Sequence, residues 1–205
     1  MTSRARWLFA SAAVLALGSL AVPLWGFRMS AAQYAGEALH LRVGRSAISG
    51  DLQEITTLQK YIGVSLPTSL PELSWLTPAI SGIAALLALA GLLASTRAAR
   101  PVGMAAAAAL LVFMAASAFL LQKRLYEIGH DRDPRAPIQA IRDFTPPALG
   151  RVRVGNFTVW SYPHAGALAL VAAAALALGG VRHAFGRGCP GEGRRAAAAR
   201  QDAAA

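Results

Sequence analysis

Three histidines, His40, His130 and His164, fall toward one side of the expected apolar spans, and Met29 lies near the same side. Imidazole nitrogens with a thioether make a donor set that suits copper. His130 is the strongest single candidate ligand. Asp131 and Asp133 follow it and could orient its ring through hydrogen bonds. The plainer role of these two carboxylates is to cap a turn before Pro134. No histidine stands at motif spacing from another.

Asp51 and Glu54 form a second candidate group. Paired carboxylates can exchange protons with a substrate. The same spacing is also a capping box, in which Asp51 accepts from first-turn amides and Glu54 reaches back. Cys189 is the only cysteine. It is a palmitoylation site, a redox site or an idle thiol. A single cysteine excludes an internal disulfide, a four-cysteine zinc site and a CxxCH haem attachment. No Walker loop, nucleophile elbow or HExxH motif is present. The chain is therefore expected not to be an enzyme.

The elements that must position these residues are set by four stretches without formal charge: Trp7–Phe27, Leu73–Thr96, Pro101–Gln122 and Val154–Val181. Each matches the ~20 apolar residues needed to cross a bilayer. The expected fold is an all-α membrane protein. Its four transmembrane helices lie at about 7–27, 75–95, 102–122 and 163–182, with a small mixed α/β cap built from the two long loops. Residues 1–185 form the membrane domain, 28–74 and 123–162 the cap, and 186–205 a disordered basic tail. Arg4 and Arg6 precede the first stretch as in a signal peptide. That stretch is longer than the usual ~7–15 residues and lacks a small-x-small site at its end, so an uncleaved helix is expected.

The spans hold no Asp, Glu, Lys or Arg. Intramembrane ionisable groups mark proton relays and ion paths, so a pump, an ion-coupled transporter or an intramembrane protease is disfavoured. Paired helix histidines for an integral haem are missing too. The net charge of +10 is divided among segments between apolar runs rather than gathered into one footprint, so no nucleic-acid partner is expected. The partner these segments imply is the lipid bilayer, with small Ala and Gly faces for close helix packing. Four spans put both termini on one side. That side is shorter and denser in arginine, which places it in the cytoplasm.

The two long loops lie on the other side. Leu39–Val43 alternates like a strand, as do Val152–Val154 and Phe157–Trp160, and the first is expected near one of the later two. Leu52, Ile55, Leu58 and Ile62 define an amphipathic helix ended by Gly63. Pro67 and Pro71 stiffen the return, and Trp75 is an interfacial aromatic. The third apolar helix continues through Gln122–Ile128 and breaks at Gly129–Pro134. Asp51, Glu54, Tyr61, Asp131 and Asp133 are the candidate partner-binding residues of this cap.

Several loop runs resemble an uncharacterised group of bacterial multi-pass membrane proteins associated with gene clusters for nitrous-oxide-reductase-type copper enzymes. They are Gln33–Leu41, Ile48–Ile55, Leu58–Gly63, Gly129–Ile138, Pro146–Gly150, Asn156-Phe157 and Ser161–Pro163. The resemblance covers roughly half of the chain. It implies an inner-membrane accessory protein that supports assembly or metal supply of a periplasmic copper redox enzyme, through a periplasmic or membrane protein partner. A structural subunit of a membrane complex and a periplasm-facing copper carrier are the alternatives. The group's helix typically reads Asn-His-Tyr-Ile-Gly-Met. Here Gln59-Lys60-Tyr61-Ile62-Gly63-Val64 stands in its place, and a protonated lysine cannot replace imidazole as a ligand. His130 is untouched by that departure.

Overall fold

The first apolar stretch does not stay helical to its end. In the computed structural model, which describes residues 2–31, 37–63, 73–131, 133, 135–137, 143–154 and 156–185, helix α1 spans Thr2–Gly18. A 3-10 turn follows at Ser19–Ala21, and Val22 is extended at φ −126°, ψ 157°. Pro23 is the physical reason: it has no N–H to donate and disfavours helix in the residue before it. Strand β1, Trp25–Ala31, begins two residues later. The expected first span at 7–27 is thus corrected, and its last residues open a strand.

The remaining elements are β2 (Ala38–Val43), β3 (Ile48–Gly50), α2 (Leu52–Ile62), α3 (Leu76–Leu92), α4 (Ala99–His130), β4 (Gly150–Val154), β5 (Phe157–Pro163) and α5 (Ala165–Phe185). Among the described residues, three helices are long and apolar enough to cross a membrane: Leu76–Ser95, Ala99–His130 and Ala165–Ala184. The fourth helix, α1, has 17 residues. It rises about 26 Å, less than the ~30 Å hydrocarbon core. Four spanning helices are therefore corrected to three, packed with a shorter fourth. The all-α description is corrected as well, because the cap carries a five-stranded antiparallel sheet in the order β3-β2-β1-β5-β4. The tail from residue 186, with Cys189, lies outside the described residues.

α1 packs against α3 and α5, and α4 packs against the same two helices from the other side. Small residues let the backbones approach. Ala12, Ala16, Ala90, Ala106, Ala173 and Ala177 are all fully buried in one core. Phe9 is the large side chain at its centre, with no exposed surface. It fits against glycines of the three other helices. A Cβ on Gly103 would stand 2.7 Å from the Phe9 ring and one on Gly180 2.9 Å, while one on Gly91 would stand 3.5 Å from the Phe9 Cβ. Outward, Leu92, Val112 and Phe119 are each about two-thirds exposed, an apolar surface suited to lipid contact.

The sheet is tied to the bundle at one end, through both β1 and β5. β5 runs directly into α5, with His164 between them, and β1 follows the 3-10 turn. The backbone N–H of His164 donates to Leu24 O at 3.1 Å, and that of Gly166 to Pro23 O at 2.9 Å. β1 pairs with β2 on one side and β5 on the other. Leu39–Val43 and Phe157–Trp160 therefore share a sheet with β1 between them. β1 departs from the expectation, which ends the first helix at Phe27 and gives Arg28–Ala31 to an irregular start of the cap.

Helix α2 starts where expected, but Asp51 does different work. Its Oδ2 accepts from the His40 backbone N–H at 2.7 Å, and its own N–H donates to His40 O at 3.0 Å. The carboxylate thus clips the start of α2 to β2 instead of capping the helix. Gly50 precedes this clip at φ +123°, with the His40 carbonyl where a Cβ would go, so no other residue fits. Gly63 closes α2 at φ +72° and accepts from the Asp133 N–H at 2.8 Å.

Candidate functional site: an apolar cavity under the sheet

Helix α4 has 32 residues. At about 1.5 Å each it reaches about 48 Å, well beyond the ~30 Å of the hydrocarbon core. Its last turns rise beside the sheet. Between them lies a cavity of about 840 Å³, within the ~300–1,000 Å³ typical of small-molecule sites.

Strand alternation decides the lining. Trp25, Phe27 and Met29 of β1 stand level with Val43, Leu41 and Leu39 of β2 and with Pro163, Ser161 and Val159 of β5. Nearly all of these residues line the cavity. Phe113, Met114, Ser117 and Leu121 of α4 form the opposite wall, and Trp75, Leu76 and Leu170 the floor. Trp75 meets Phe113 edge-on at 5.3 Å. Leu41, Ile48 and Ile55 make a small second core where α2 covers one end of the sheet.

Few polar groups reach this space. Ser117 Oγ is buried without a hydrogen-bond partner among the described residues. Lys123, Arg124 and Glu127 belong to the lining on the last turns of α4. Glu127 holds Arg124 at 3.1 Å and Lys123 at 3.8 Å, and all three side chains are substantially exposed. A polar clip joins the two walls. Gln122 Oε1 accepts from the Ala148 N–H at 2.8 Å. Ala148 O accepts from Ser161 Oγ at 2.6 Å and from Trp25 Nε1 at 2.9 Å. Trp25 Nε1 also lies 2.8 Å from Ser161 Oγ. Ser161 is buried to 1% exposure, so its hydroxyl is kept satisfied by this clip.

The candidate metal ligands are not brought together. His40 is exposed on the sheet face opposite to Met29, because the two occupy alternate positions across β1 and β2. His130 ends α4, with Nδ1 2.9 Å from Tyr126 O and its ring stacked on Tyr126 at 3.9 Å. His164 Nδ1 is buried without a partner among the described residues, and its ring lies 6.4 Å from that of Tyr162. No group of three His, Cys, Asp or Glu among the described residues could hold a metal ion.

The candidate partner-binding residues are equally dispersed. Glu54 is exposed on α2. Asp133 Oδ1 accepts from the Arg135 N–H at 2.8 Å, which makes a local turn. Asp131 is exposed just after α4. The Tyr61 side chain lies outside the described residues.

Sequence reasoning missed the cavity-lining residues Trp25, Phe27, Met29, Phe113 and Met114. A signal existed for the first three. After Pro23, apolar residues recur at every second position from Trp25 to Met29, which is the strand period. No family model matches the chain, and no curated protein matches its sequence. The molecule is a membrane-embedded helical bundle carrying an antiparallel sheet, with an apolar chamber where the two meet.

Proposed function

We propose that this is a non-catalytic accessory protein of the bacterial inner membrane, which takes the apolar chain of a membrane amphiphile into the chamber under its sheet. The observation that carries this reading is the cavity of about 840 Å³, walled almost wholly by apolar side chains beside a membrane-spanning bundle. Apolar space of this size favours hydrocarbon over water. Lys123, Arg124 and Glu127 stand together in the lining on the last turns of α4, a polar edge for a headgroup. The pathway, assembly or metal supply of a periplasmic copper redox enzyme, rests on the resemblance of the loops alone.

In this reading the cap faces the periplasm. The structural-subunit reading draws support from the exposed Leu92, Val112 and Phe119. The copper-carrier reading has no comparable support, since its three histidines are dispersed.

Photoactivatable acyl chains test the chamber. Illumination of membranes holding the full chain should label Phe27, Leu41 and Val159 on the inner sheet face. Filling the space with Met114→Trp and Ala118→Phe should remove that labelling while outward Val112 and Leu168 still react. Labelling confined to outward helix positions in the parent would sink the proposal. For the pathway, loss of the protein should lower the copper content of the periplasmic enzyme, and unchanged content would remove that assignment.

A further inference from the structure

The other face of the sheet has the opposite character. The register places His40, Arg28, Trp160 and Arg151 side by side across β2, β1, β5 and β4. The next row toward the helices holds Arg42, Gly26 and Tyr162, and the row on the far side, away from the helices, holds Ser30, Thr158 and Arg153. No carboxylate stands at any of these outward positions. Arg28, Arg42 and Arg151 are exposed and make no ion pair among the described residues. Trp160 is 46% exposed. None of these residues lines the cavity.

The position of this face decides what it fits. The rings of Trp160 and Tyr162 lie 6.1 Å apart, and those of Tyr162 and His164 6.4 Å apart. This aromatic ladder descends from the sheet to Ala165, the first residue of a membrane-spanning helix. Tyr162 is therefore within ~10 Å of the span along the strand, and the Arg28–Trp160–Arg151 row stands about 7 Å further out. Tyrosine and tryptophan concentrate at the membrane–water boundary. Arg42, level with Tyr162, lies about one screening length of ~8–10 Å from the span and Arg28 and Arg151 lie within about two, so the charge of acidic lipids acts on the first row most and on the second less.

We infer that the outward face of the sheet is a docking surface for anionic phospholipid headgroups. Arg28, Arg42 and Arg151 attract the phosphates, and Trp160 and Tyr162 seat the face at headgroup level. Gly26 is part of the design: a Cβ there would stand 2.8 Å from the Tyr162 ring, so glycine lets that ring lie flat over β1. This surface is distinct from the chamber and does not depend on what enters it.

Native mass spectrometry of the detergent-solubilised full chain tests the inference, with phosphatidylglycerol and phosphatidylcholine titrated separately. The parent should retain the anionic lipid preferentially. Joint substitution Arg28→Gln, Arg42→Gln and Arg151→Gln should cost about fivefold per arginine at low salt. The corresponding lysine variant should keep most of the preference, which separates charge from folding. In the parent, raising salt from about 0.05 M to about 0.5 M should erode it. Equal retention of both lipids by the parent would overturn the inference. So would a glutamine variant that matches the parent, or a polyglutamate peptide that binds through these arginines while the lipids show no preference.

Discussion

The bundle and the cap solve the same packing problem in opposite ways. In the bundle, small residues bring four backbones together around one aromatic ring, and Phe9 is enclosed by glycines of three helices. In the cap, large side chains from the sheet and from α4 face one another and leave about 840 Å³ between them. The bundle is closed by van der Waals contact, whose strength needs every atom in place. The cap is closed by a few hydrogen bonds through Gln122, Ala148, Trp25 and Ser161, which fix the walls and tolerate space between them. Close packing serves the part that anchors the protein. Hydrogen-bonded spacing holds the cavity open in the cap.

The contrast breaks most sharply at Phe9. Phe9→Ala should destabilise the protein by about 3–5 kcal/mol, because the rigid small-residue faces around the ring cannot collapse. Thermal unfolding in detergent would show it, and a loss under 1 kcal/mol would mean that the bundle is not packed as described. Gly103→Leu tests the same contact from the other side. Overpacking against the Phe9 ring should cost about 1–3 kcal/mol.

The cap should respond separately. Ser161→Ala leaves Trp25 Nε1 and the Ala148 carbonyl with one partner fewer and should cost about 1–2 kcal/mol. Hydrogen exchange should speed up in β1 and β5 while α1 and α5 keep their protection. A uniform rise across the chain would show that the two regions unfold as one. The smallest effect is expected at Ser117. Its hydroxyl has no partner among the described residues, so Ser117→Ala should leave stability within about 0.5 kcal/mol or raise it slightly. A loss above 1 kcal/mol would mean that this oxygen holds a bond, and the wall would need to be redrawn.

Much of the architecture was legible where periodicity and punctuation agreed. Helix α3 lies where an uncharged run and Trp75 placed it, and α4 continues through Ile128 as its pattern required. Gly63 ends α2 in the left-handed conformation that glycine supplies. Legibility failed where two signals competed. Absence of charge suggested a helix through Phe27, whereas Pro23 and the alternation after it encoded a strand. Asp51 carried a capping signature, but a nearer backbone donor at His40 claimed its carboxylate. In both cases a local pattern was compatible with two structures, and contacts distant in sequence chose between them.

By itself the sequence determined the solvent. Uncharged runs rich in alanine and leucine are stable in hydrocarbon whatever their partners, because transfer free energy is a property of each segment alone. It determined likewise that the polar loops would carry strands and a short amphipathic helix. The tertiary structure decided which residues face each other. The candidate donors His40 and Met29 came out on opposite faces of the sheet, since a strand turns alternate side chains to opposite sides, while His130 came to end α4. The chamber also arose only in three dimensions. Its walls come from segments more than a hundred residues apart, and the space between them depends on register and helix length, quantities that no single segment contains.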